Sequence, residues 1–286
     1  MSFPLVRHGD MGDWRLGDDE FLDTFSPCTG QRIDILAQRN PLPREKLITF
    51  DENEHVYTFR GVRVPRSVTG LLHTYTQEFI PQHALVAMRP EKREELAACG
   101  AATDDEILAR WRINGEVQRA RGQLLHYHAE QTLNGREVEE PHSPELMQAC
   151  CLINSFLPAH GLRQFRTEVC LHHEGLRVVG QADLICIDGD SRLVVCDWKR
   201  SREIRMDNSF RSLKEPLQHL PDCNYWHYAL QLNLYAYILE DQYGYDVSSM
   251  FLFVVHPSLT SPRVIEVPRL HHEISLLVEE EVSAMA

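Results

Sequence analysis

No apolar run in the 286 residues approaches the length of a membrane span, and Met1-Ser2-Phe3-Pro4-Leu5 opens no signal-type hydrophobic region. An Arg-rich transit segment is not evident either, so an intracellular protein with no membrane partner is expected. Paired-cysteine spacing is missing too. The eight cysteines, at 28, 99, 150, 151, 170, 186, 196 and 223, contain no Cys-x-x-Cys and read as reduced thiols, three of them inside strand-like runs as small hydrophobes. Basic charge is scarce, with 29 Lys and Arg against 42 Asp and Glu and a net charge of −13. That balance argues against a general nucleic-acid coat, because phosphate binding draws on clustered cations. The cations present do cluster. Lys199, Arg200, Arg202, Arg205, Arg211 and Lys214 follow one strand-like run, and Arg110, Arg112, Arg119 and Arg121 stud one helical run. Each set is either the lining of a local groove or a solvated surface.

The most informative pattern is a hairpin carrying two aspartates. Leu193-Val194-Val195-Cys196 runs into Asp197-Trp198-Lys199, and Gly180-Gln181-Ala182 runs into Asp183. A three-residue loop at Gly189-Asp190-Ser191 pairs Ile187 with Leu193, and the same register carries Asp183 to a position directly opposite Asp197. Their Cβ atoms would then lie roughly 5 Å apart on one face. Lys199 shares that face, and Trp198 points the other way, into the core. A two-residue loop would place the aspartates on opposite faces. Neighbouring carboxylates repel unless a proton or a cation intervenes, and oxygen donors select Mg²⁺ or Mn²⁺. On this reading the Trp198 carbonyl is a further ligand, and Lys199 orients the attacking water. An exposed Asp197–Lys199 cross-strand ion pair is the plain alternative.

Other residues are expected near that face. Glu168 lies in the preceding run, and a two-residue turn at Glu174-Gly175 would set it opposite Gln181; an ordinary edge carboxylate is the alternative. A helix over 107–133, broken in pattern around Asn114-Gly115, carries Gly122, His126 and Glu130 on one stripe. Gly122 would permit close approach of a phosphate, and the imidazole of His126 is an acceptable metal ligand. A second helix over 225–243, capped by Asp222 and ended by Gly244, sets Gln231 one turn before Tyr235. Amide and phenol together can hold a phosphate or fix the lysine, or they are simply core residues.

Taken in order, Gly122-x-x-x-His126, Gly180-x-x-Asp183, Asp197-x-Lys199 and Gln231-x-x-x-Tyr235 lie on helix, strand, strand and helix. This set resembles the PD-(D/E)xK nuclease superfamily in its RecB-like branch, over roughly residues 48–267. The block Val64-Pro65-Arg66-Ser67-Val68-Thr69 is similar to one that precedes the catalytic core in some members. The resemblance implies an α/β (α+β) fold with a restriction-endonuclease-like core, a central mixed β-sheet flanked by helices. It implies a Mg²⁺- or Mn²⁺-dependent deoxyribonuclease with DNA as partner. His126, Asp183, Asp197 and the Trp198 carbonyl would be metal ligands. Lys199, Glu168, Gln231 and Tyr235 complete the catalytic set, and Ser67, Thr69, Arg121, Arg200, Ser201, Arg202, Gln231 and Tyr235 would contact the nucleic acid. Some members hold an iron–sulfur cluster through cysteines near the C-terminus; this chain has none after Cys223, so no such cluster is expected. An exonuclease on single-stranded or end-exposed DNA is favoured. A structure-specific endonuclease on the same core and a catalytically idle DNA-binding or assembly subunit are the rivals.

Residues 1–45 lack sustained periodicity and read as an irregular arm that could bind a protein partner, with the nuclease domain over 46–286. A β-meander is expected over 47–64 with a turn at Arg60-Gly61, a helix in the middle of 81–102, and another helix over 145–160, ended by Gly161. A flexible, DNA-facing excursion is expected over 205–221, then an apolar strand over 250–255, a strand over 264–267 and a terminal helix.

Overall fold

A computed structural model describes residues 34–51, 54, 56–136, 138 and 143–285. Most of the expected arm, with Cys28, lies outside the described residues, as does His55 of the meander. The described residues divide into two compact units, one within 78–125, the other within 34–77 and 126–285.

In the first unit, α3 (Pro81–Val86) and α4 (Pro90–Ala98) both start with proline at the first helical turn, where its missing N–H costs nothing. With the opening turns of α5 (Asp104–Leu133) they bury Ala84, Leu85, Leu96, Ile107 and Trp111. The expected break at Asn114-Gly115 does not occur. α5 is a single 30-residue helix, and Gln118 donates to the Asn114 side chain one turn away, so the amide that could have competed with the helix backbone is engaged along the helix surface.

The second unit carries the sheet. α1 (Ile35–Arg39), capped by Asp34, lies within the expected arm but is ordered: Leu36 N–H donates to Asn134, and Asn40 donates to the Phe165 carbonyl. β1 (Ile48–Asp51), β2 (Val56–Phe59) and β3 (Val62–Arg63) form the expected antiparallel meander. A six-stranded mixed sheet follows, built from β4 (Arg66–Ser67), β5 (Arg163–His173), β6 (Val178–Ile187), β7 (Leu193–Arg200), β8 (Val247–Val255) and β9 (Arg263–Glu266). α2 (Val68–Thr74) follows β4, with Ser67 Oγ accepting from Gly70 N–H as its cap. β7 and β8 run parallel and are joined through α8 (Asn224–Tyr243), which packs with α2 and α9 (His271–Ser283) around the main core.

Where the structure departs from the sequence reading, the causes are local. The helix expected over 145–160 is α6 (Pro144–Cys151), a π-turn at Leu152–Phe156 and a last turn α7 (Leu157–Ala159), ending as expected at Gly161 with φ +65°. Asp222 does not cap α8; it accepts from Gln77 N–H and pairs with His227, while Gly244 ends the helix at φ +70°. The 205–221 excursion is anchored, with Leu213, Leu217 and Leu220 in the core and Lys214 N–H on the Tyr75 carbonyl.

Candidate active site

β6 is the strand on which the site depends. It pairs with β5 along one edge from Val178 to Ile187, so β4, at Val178 and Val179, and β7, at Leu184 to Ile187, must share its other edge. Residues 180–183 span the gap between them. The sheet forks there, and the fork leaves Gly180, Gln181 and Asp183 facing a cavity of about 230 Å³. His126, Glu168, Gln231 and Tyr235 line the same cavity, with Tyr57, Ser67 and Thr69. A slightly larger cavity of about 280 Å³, bounded by Tyr237, Glu240 and Arg269, contains none of these groups, and chemistry decides between the two.

The β6–β7 register is the one read from the loop: Ile187 opposes Leu193 and Leu184 opposes Cys196, so one further step sets Asp183 beside Asp197. At that step the Trp198 N–H donates to Asp183 Oδ2 at 2.8 Å, while Asp183 Oδ1 lies 3.5 Å from His126 Nδ1. Trp198 turns its indole into the core against Phe253, as alternation requires, and its carbonyl lies 3.1 Å from His126 Nε2. Glu168 needs a correction. The β5–β6 turn spends four residues, Glu174 to Arg177, and Cys170 rather than Glu168 opposes Gln181. The shift is two residues, an even number, so Glu168 keeps the expected face and comes beside Asp183. Its φ of +45° is unfavourable for a side chain bearing a Cβ, a strain on the order of 1–3 kcal/mol, and Gln181 holds it by donating to Glu168 Oε2 at 2.8 Å and to its carbonyl.

Ligand atoms of His126, Glu168 and Asp183 all lie within 4.8 Å of one another. Asp197 is not in that trio. It is almost fully buried, its Oδ2 lies 2.5 Å from Lys199 Nζ, and neither carboxylate oxygen accepts a well-formed hydrogen bond among the described residues. Lys199 Nζ also lies 3.4 Å from Gln231 Oε1 and 4.6 Å above the Tyr228 ring, and Gln231 Nε2 donates to Tyr235 Oη at 2.9 Å. Gly180 makes this possible: a Cβ there would stand 2.4 Å from Tyr235 Cε1 and 2.9 Å from Val68 Cγ2.

Electrostatics divide the two aspartates. Burial pushes both carboxyls up. For Asp197 burial prevails, aided by the charge on Asp183, and holds it at about 6 in spite of Lys199. For Asp183 burial is outweighed by His126, Lys199 and the Trp198 N–H, so its pKa stays below the ordinary carboxylate value. Burial opposes protonation of His126 and Lys199, yet Asp183 and Glu168 lift the imidazole well above its usual value, and Asp197 and Asp183 lift the ammonium.

The expected nucleic-acid contacts are distributed unevenly. Ser67, Thr69, Gln231 and Tyr235 line the cavity, whereas the Arg200 side chain is only 4 % exposed and donates to Glu145 at 2.8 Å, and Ser201 Oγ donates to the Glu203 carbonyl. The structure does not bring those two to the site. Arg202 is exposed on the segment after β7, and Arg121 belongs to the first unit. Around Gly122 the protein leaves open space. Tyr228 is the residue that sequence reasoning missed; its position three before Gln231 on a helix was the available signal.

A D-x-K hairpin on a mixed sheet, faced by a histidine from one helix and a glutamine–tyrosine pair from another, defines a nuclease core. Residues 70–285 match the model of the PD-(D/E)XK nuclease superfamily, and the chain belongs to that superfamily. No curated protein matches the chain. Solved structures similar to it include that of a candidate exonuclease from Eubacterium rectale, 14 % identical over 60 % of this chain and 70 % of that one, with a TM-score of 0.35. Another is SSO0001, 17 % identical over 60 % of this chain and 63 % of that one, with a TM-score of 0.28. Membership rests on the family match, not on these two likenesses. Among the described residues no helix is long and apolar enough to cross a membrane.

Proposed function

We propose that the protein is a Mg²⁺- or Mn²⁺-dependent deoxyribonuclease that hydrolyses phosphodiester bonds in single-stranded or end-exposed DNA, an exonuclease of the RecB-like kind. The observation that carries this reading is the trio of His126, Glu168 and Asp183, with ligand atoms within 4.8 Å, beside the buried Asp197–Lys199 pair. The donor set fits a hard divalent cation, being carboxylate oxygen and one imidazole, and the buried Asp197 carboxylate, ion-paired with Lys199 through Oδ2, and the Trp198 carbonyl are further oxygen donors on the same face. His126, Glu168 and Asp183 would hold the ion, with Asp197 and Trp198 O beside them. When bound, such an ion supplies Lewis-acid polarisation of the scissile phosphate and acidifies water.

The remaining work falls to the chain. Lys199 presents an ammonium that donates to the attacking water and offsets the negative charge gathering on the phosphate. Gln231 and Asp197 aim that ammonium, and Tyr235 holds the Gln231 amide. Asp183, its Oδ2 fixed by Trp198 N–H, offers Oδ1 at a set angle beside His126. Preference for DNA ends comes from the RecB-like resemblance alone.

Digestion of end-labelled single-stranded, duplex and circular DNA with Mg²⁺ or Mn²⁺ tests the reading. Cleavage is expected from free ends, is lost in Lys199→Ala, and is lost on chelation. A Lys199→Ala variant that turns over like the native protein removes the catalytic assignment.

A further inference from the structure

Tyr57 has no part in the chemistry described above, yet it borders the same cavity as His126, Glu168 and Asp183. It comes from a different part of the fold, the small meander, where β1–β2 register sets Phe50 directly across from it. The two rings stack, with centroids 4.3 Å apart and planes 28° from parallel, and Phe50 is 38 % exposed. Phe50 therefore backs one face of Tyr57 with a flat apolar surface that water reaches. Nothing in the phosphodiester chemistry requires this. His126, Glu168, Asp183, Asp197, Lys199, Gln231 and Tyr235 supply the charged and polar roles, and although Tyr57 also packs against Phe59, Val64 and Val179, a cross-strand ring pair contributes only about 0.2–1 kcal/mol.

We propose that the Tyr57–Phe50 pair is a stacking platform for an unpaired DNA base, placed beside the phosphate to be cut. Aromatic rings bind bases of any sequence through their π-faces, and bases in a duplex have those faces covered by their neighbours. A platform at the cavity wall therefore selects a strand that is already single, and it supplies the substrate preference that the catalytic residues cannot. The short meander suits the task, since a two-strand ring pair is pre-organised by its register and gives up little conformational freedom on binding. This inference rests on the nuclease reading for its substrate but not for its test.

Binding is measured without added metal, by anisotropy of a labelled single-stranded oligonucleotide, against the same strand carrying abasic residues and against duplex. The native protein is expected to prefer the intact single strand. Tyr57→Ala is expected to weaken that binding by roughly tenfold to a hundredfold and to erase the difference between intact and abasic strands. Tyr57→Phe and Tyr57→Trp are expected to restore both. Equal discrimination by Tyr57→Ala and the native protein overturns the platform, as does a Tyr57→Phe variant impaired like Tyr57→Ala, which would assign the role to the hydroxyl. Loss of discrimination with circular dichroism unchanged supports it. Cleavage assays on Lys199→Ala address the nuclease reading separately, so either idea fails without the other.

Discussion

Trp198 N–H donates to Asp183 Oδ2 across the two strands at 2.8 Å, and this bond leaves Asp183 Oδ1 turned toward His126. The β7 backbone thus orients a side chain on β6. The bond and the acidic charge of Asp183 are separable by substitution. Asp183→Asn keeps an oxygen to accept from Trp198 but has no negative charge to offer a cation. The variant is expected to fold with little loss of stability and to bind Mn²⁺ more weakly, in calorimetry, than the roughly 10- to 100-fold loss caused by changing an outer-shell partner. Unchanged Mn²⁺ affinity would count against ligation by Asp183.

Tyr228 is expected to act through Lys199. Its ring lies 4.6 Å beneath the ammonium, a cation–π contact worth about 0.5–2 kcal/mol. Tyr228→Leu should lower kcat roughly 2- to 30-fold with KM little changed, and Tyr228→Phe should recover it because the ring face remains. A phenylalanine variant as slow as the leucine one would show that the hydroxyl, not the ring, matters.

Gly180 is expected to tolerate no side chain. In Gly180→Ala the new methyl meets Tyr235 Cε1 at 2.4 Å and β-branched Val68 at 2.9 Å, neither of which can retreat within a packed core. Overpacking of this kind costs about 1–3 kcal/mol, visible as a lower urea midpoint. Because Tyr235 holds Gln231 and Gln231 contacts Lys199, activity should fall more than stability does. An alanine variant with native midpoint and native rate would contradict the close packing.

His172 sets an acid limit on the fold. Burial, with Arg44 adding to it, lowers the imidazole from 6.5 to about 4, where its ring stacks on Phe59 with centroids 3.9 Å apart. The unfolded chain takes up a proton near its ordinary pKa while the folded imidazole stays neutral. Stability from this group is therefore complete above about pH 6.5 and drains away as pH falls toward 4. Urea unfolding at about pH 7.5 and about pH 4.5 should show a smaller acid loss in His172→Phe than in the native protein. Equal losses would place the acid sensitivity elsewhere.

Much of the site was legible because its signals are local. An odd loop at Gly189-Asp190-Ser191 determines parity and register together, so the Asp183–Asp197 neighbourhood followed from counting, as did the inward turn of Trp198. Gln231 and Tyr235 declared themselves by one helical turn. Glu168 was legible in face but not in partner, because a four-residue turn at Glu174 to Arg177 leaves weaker marks than a glycine pair, with Arg177 taking the left-handed position at φ +51°. Arg200 misled because it sits beside Lys199 in a basic run, and only the fold shows Glu145 opposite its guanidinium.

By itself the sequence determined which residues face the same way, since strand alternation and helical periodicity depend on neighbours a few positions apart. It therefore set the composition of the candidate face. The tertiary structure alone decided how those residues share their charges. The fork in the sheet at residues 180–183, the delivery of His126 from α5, and the division that gives Glu168 to the trio and Asp197 to Lys199 all join segments tens of residues apart. No local spacing encodes such meetings, because they arise from packing a whole core at once.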